Sequence, residues 1–65
     1  MVEVSGKKLE VAGLTVTELI EKEDYNPAHV VVELNLSILP REEYDKIKLK
    51  DDDVVEIVTF MGGGA

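Results

Sequence analysis

The sequence contains no cysteine and a single histidine, His29, so neither a disulfide framework nor a zinc site can staple it. At 65 residues it is one small domain, and chains below about 70 residues lie near the lower limit of stability for a single core. Packing alone must therefore hold the fold. Aromatic residues amount to 5% with no tryptophan, which leaves the core to aliphatic side chains. A content of 45% hydrophobic and 32% charged residues supports a folded chain and separates it from disordered compositions.

Basic residues are scarce. Seven Lys and Arg stand against 14 Asp and Glu, a net charge of -7. Lys7, Lys8, Lys22, Arg41, Lys46, Lys48 and Lys50 are dispersed among acids, which argues against nucleic acid as a partner. The acidic excess serves solubility or, in a sharper reading, steers a basic protein onto the surface. Long apolar runs are missing too. The longest uncharged stretch, Ile57 to Ala65, is half the roughly 18 residues a membrane span needs, and it runs into glycines. Met1-Val2-Glu3-Val4 has neither the basic region nor the apolar stretch of a signal peptide, so a cytoplasmic location is expected.

What is present reads as alternating strands around one helix. Val2 and Val4 flank Glu3, the cluster Ser5-Gly6-Lys7-Lys8 reads as a turn, and Leu9-Glu10-Val11 follows, a pattern that predicts a hairpin with Val2, Val4, Leu9 and Val11 on one face. Thr15-Val16-Thr17-Glu18 has the form of a capping box. Val16, Leu19 and Ile20 then share one helix face, and Asn26-Pro27 predicts that the helix fades by Asp24. Val30 to Leu34 predicts a strand with Val30, Val32 and Leu34 inward, followed by a turn at Asn35-Leu36 and a brief strand Ser37 to Leu39 stopped by Pro40. Arg41 to Asp45 reads as a helical turn and Lys50 to Asp53 as an acidic turn. Val54 to Phe60 is apolar on both faces apart from Glu56 and Thr59, as suits the centre of a sheet. One helix across a mixed sheet of four or five strands buries these faces economically, an α+β fold of the β-grasp type.

No catalytic constellation is visible among these residues, and an enzyme reading has nothing to rest on. His29 reads as a surface or half-buried residue. The Asp51-Asp52-Asp53 run lacks the spacing of a calcium loop, so no metal ligand is assigned. The unusual feature is Gly62-Gly63-Gly64, directly after the strongest strand. Such a tail is free of side chains and slim enough to enter a narrow slot in a partner, although glycine content alone suits a frayed end equally well.

Val32-Glu33-Leu34-Asn35, Pro40-Arg41-Glu42-Glu43-Tyr44, Val55-Glu56-Ile57-Val58 and Phe60-Met61-Gly62-Gly63-Gly64 stand in an order that resembles the ThiS family of sulfur carriers from end to end. Pro-Arg-x-x-Tyr, an acidic turn and a strand running into terminal glycines are distinctive as a set. The resemblance implies a ubiquitin-like β-grasp domain over residues 1–61 and a flexible glycine tail over 62–65. It further implies a protein cosubstrate, not an enzyme, with no bound cofactor. A ThiF-type adenylating enzyme would use ATP to activate the terminal carboxylate of Gly64, which then becomes a thiocarboxylate. Gly62 and Gly63 would thread the partner's slot, and Val58, Phe60 and Met61 would form the docking surface at its mouth.

The sulfur would pass to a ThiG-type thiazole synthase in thiamine biosynthesis. Carriers for cysteine, homocysteine or molybdopterin synthesis are the alternative within the carrier class, and a non-covalent ubiquitin-like interaction module is the alternative of a different functional class. Three positions depart from the family pattern. Leu36 and Asp52 stand where glycine is frequent, and Ala65 follows the glycines, which implies a peptidase that removes it before activation.

Overall fold

A computed structural model describes residues 1–60. Five strands form one mixed sheet: β1 (Val2–Val4), β2 (Lys7–Leu9), β3 (Val30–Leu34), β4 (Ser37–Ile38) and β5 (Val54–Thr59), with a single helix α1 (Val16–Lys22). The strand order is β2-β1-β5-β3-β4. β5 lies at the centre, parallel to β1 and antiparallel to β3, as its apolar run predicts. This is the β-grasp arrangement.

Both hairpins turn on two residues. Ser5 and Gly6 connect Val4 to Lys7, and Asn35 and Leu36 connect Leu34 to Ser37, all four with positive φ. The primed turns this favours match the twist of paired strands. The first hairpin corrects the sequence expectation. Lys7 and Lys8 belong to the strand and not to the turn, because Ser5-Gly6 already reverses the chain, and β2 ends at Leu9. Val11 nevertheless reaches the core, with 1% of its surface exposed.

Helix α1 starts with the predicted capping box. The Glu18 N–H donates to Thr15 Oγ1 at 3.1 Å and the Thr15 N–H to Glu18 Oε1 at 2.8 Å. The two remaining free N–H groups of the first turn donate across the molecule, Val16 to the Ile47 carbonyl and Thr17 to the Tyr44 carbonyl, both at 3.1 Å. The helix end departs from expectation in its cause. Asp24 adopts φ 64°, its N–H donates to the Glu21 carbonyl and that of Tyr25 to the Ile20 carbonyl. That pairing is the Schellman motif, so left-handed Asp24 and not Pro27 stops the helix. Pro27 instead opens a 3-10 turn, Pro27–His29, capped by the Asn26 side chain.

Val16, Leu19 and Ile20 pack on the inner face of the sheet against Val2, Val4, Val30, Val32, Val55 and Ile57, with Val11, Leu49 and Tyr44 closing the layer. Among the described residues, Tyr44 is the one aromatic side chain fully buried in this layer, with Tyr25 packed partly buried against it. No described helix is long and apolar enough to cross a membrane.

Candidate functional site: the end of β5 and the outer face of the sheet

The helix covers one face of the sheet, and the other is left open. Period-two alternation turns Val55 and Ile57 to the helix and Val54, Glu56 and Val58 outward, with Phe60 following in the same sense. Val58 is 52% and Phe60 42% exposed, so both reach solvent. Register extends this face across the sheet. Val58 stands opposite Val31, Glu56 opposite Glu33, and Glu33 opposite Ile38, which is itself exposed. Sequence reading had not assigned Ile38 to this face. Two carboxylates thus face each other across β3 and β5 with apolar residues on either side.

The Phe60 N–H donates to the His29 carbonyl at 2.9 Å, which prolongs the β3–β5 ladder one step past Thr59. The His29 ring meets the Phe60 ring edge-on, with centroids 6.4 Å apart. His29 is exposed, as its sequence context predicts. Met61, Gly62, Gly63, Gly64 and Ala65, the remaining predicted site residues, lie outside the described residues.

The Pro-Arg-x-x-Tyr segment has a role that spacing did not disclose. β4 is only two residues long, so β3 would lose its partner beyond Val32. Pro40 turns the chain away after the Leu39 N–H has donated to the Val32 carbonyl at 2.9 Å. The buried Tyr44 hydroxyl then accepts from the Val32 N–H at 3.2 Å, and the Arg41 guanidinium donates to the Val30 carbonyl at 2.9 Å. Arg41 also donates to the carbonyls of Pro27 and Ala28. Two side chains thereby replace the missing strand, and carbonyls on both sides of His29 are held by one guanidinium.

Polar side chains elsewhere tie the strand ends. Ser5 Oγ accepts from the Ile57 N–H at 3.2 Å, and Asn35 Oδ1 accepts from the Val54 N–H at 2.9 Å. The acidic turn is structural. Asp53 accepts from the Lys50 N–H, and Asp51 lies 2.6 Å from the Met1 amino group, which it holds above its usual pKa through that hydrogen bond.

Residues 1–64 match the ThiS family. The chain belongs to the ThiS family. It is 40% identical over 50 residues to the sulfur carrier protein ThiS of Bacillus subtilis, across 77% of this chain and 76% of that protein. It is also 39% identical over 54 residues to a thiazole synthase of Paramagnetospirillum magneticum, across 83% of this chain and 17% of that much longer protein. The crystal structure of a ThiS thiamine biosynthesis protein from Geobacter metallireducens superimposes with a TM-score of 0.77 at 40% identity, covering 97% of both chains.

Proposed function

We propose that this chain carries sulfur as a thiocarboxylate on Gly64 and delivers it to thiazole synthesis in the cytoplasm. Sulfur carriage in thiamine biosynthesis is the role of the ThiS family, and such a carrier is a cosubstrate and not a catalyst. The observation that carries the reading is the family match itself, which runs through Gly62, Gly63 and Gly64 and leaves Ala65 outside. The similarity to part of a thiazole synthase favours the thiamine branch over carriers for cysteine, homocysteine or molybdopterin synthesis, with a ThiG-type enzyme as sulfur acceptor.

A free carboxylate is a poor acyl electrophile because its charge is delocalised. In this reading an oxygen of the Gly64 carboxylate attacks the α-phosphorus of ATP on a ThiF-type enzyme and pyrophosphate leaves. A sulfur nucleophile then displaces AMP from the acyl-adenylate. The carrier needs no catalytic side chain, only a terminal carboxylate on a slim tail and a face that docks it: Val58 and Phe60, with Met61 beyond.

Where Ala65 follows Gly64, a peptidase must remove it first. One more residue shifts the carboxylate by roughly 3.5 Å, more than an attack distance of about 3–3.5 Å tolerates. The test compares chains ending at Gly64 and at Ala65, each incubated with the adenylating enzyme, ATP and sulfide. The Gly64 form should gain about 16 Da as oxygen is replaced by sulfur, and the Ala65 form should not. No mass change in either defeats the carrier reading, and equal change in both defeats the trimming step alone.

A further inference from the structure

Phe60 is the last residue held by a backbone hydrogen bond among those described, through the His29 carbonyl. His29 belongs to the 3-10 turn Pro27–His29, and among the described residues no strand pairs with the Pro27 and Ala28 carbonyls. Arg41 fills that gap, donating to the carbonyls of Pro27, Ala28 and Val30, so its guanidinium grips the backbone immediately before and immediately after His29. Its planar fork of donors suits three carbonyls, where a lysine ammonium would hold them as a point charge only.

We propose that Arg41 is a positioning residue for the reaction at Gly64, acting through the 27–30 backbone to fix the position of Phe60, the last described residue before the reacting end of the chain. This rests on the carrier reading above. Four residues from Phe60 to the Gly64 carbonyl span at most about 14 Å. A tether so short has little slack, and its effective concentration at a target collapses once its root moves out of reach. A misplacement of about 1 Å at a reacting carboxylate is worth on the order of a hundredfold in rate. Arg41 bonds the carbonyls of Pro27, Ala28 and Val30 and no side chain of the docking face, so its replacement leaves Val58, Val31, Ile38 and Phe60 in the chain and should move kcat more than KM.

The experiment uses the chain ending at Gly64, the form that trimming leaves, with the wild-type sequence and as Arg41→Met and Arg41→Lys. Amide hydrogen exchange is followed at Phe60, with Leu19 and Ser5, bonded to the Thr15 and Val55 carbonyls, as controls for global stability. Initial rates of ATP-pyrophosphate exchange with a ThiF-type enzyme are measured against carrier concentration. Arg41→Met should speed exchange at Phe60 by about tenfold or more with the controls unchanged, and lower kcat by about tenfold while KM moves less than about threefold. Arg41→Lys should recover part of both losses. Should Arg41→Met fail to fold, Arg41→Lys carries the same two readouts at smaller amplitude. Unchanged protection at Phe60, unchanged kcat, or a rise in KM alone overturns the proposal. A wild-type chain that supports no exchange at all defeats the carrier reading instead, and the two failures are distinct.

Discussion

Asn35 and Leu36 form the turn between β3 and β4 with φ of 52° and 74°, and Leu36 is 91% exposed. Asparagine tolerates the left-handed region, whereas leucine there costs about 1–2 kcal/mol and buries nothing in return. Leu36→Gly should stabilise the protein by about 0.5–1 kcal/mol after the greater unfolded-state entropy of glycine is counted, read as a higher urea midpoint. An unchanged or lower midpoint would mean that Leu36 is not strained. The turn and its exposed Leu36 were legible in the sequence, but the positive φ that strains it was not. Nor was the part played by Tyr44. Its hydroxyl serves Val32, 12 residues away, and nothing periodic links the two positions. Tyr44→Phe keeps the ring and leaves the buried Val32 N–H without an acceptor, at an expected cost of about 1–2 kcal/mol in chemical denaturation.

Among the elements, β5 and α1 were the most legible, since a run of β-branched residues and an i, i+3, i+4 stripe each declare their period locally. The cross-strand partners were hidden, because the opposition of Glu33 and Glu56 depends on which strands become neighbours. Like charges directly opposed on a sheet are destabilising, and an opposite pair gains about 0.2–1 kcal/mol. Glu56→Lys should therefore raise the stability of the isolated protein by up to about 1 kcal/mol while weakening capture by a partner that presents cations to this face. A loss of stability would show that the two carboxylates do not oppose each other. Phe60 belongs to the same face and is 42% exposed, so Phe60→Ala should change the melting temperature little. Its affinity for the adenylating enzyme should fall by a hot-spot amount, about 2 kcal/mol, in a titration. An unfolded Phe60→Ala chain would place the ring in the core.

On the scale of the molecule, strand order brings the first and last strands together in parallel at the centre of the sheet, and charge is shared out around that frame. A net charge of -7 at pH 7 makes the chain repel copies of itself and attract a basic surface from a distance. Glu3, Glu33 and Glu56 all stand on the outer face with Val58, so attraction and apolar contact act on the same side. Between 0.1 M and 1 M salt the screening length falls from about 10 Å to about 3 Å, which removes long-range steering and leaves apolar contact intact. The association rate with the adenylating enzyme, followed by stopped-flow fluorescence, should drop by about tenfold or more over that range, with dissociation changing much less. Glu56→Lys should flatten the slope, because it reverses one of the carboxylates on that face. A rate indifferent to salt would reduce the acidic surface to a solubility device and leave recognition to Val58, Phe60 and their apolar neighbours.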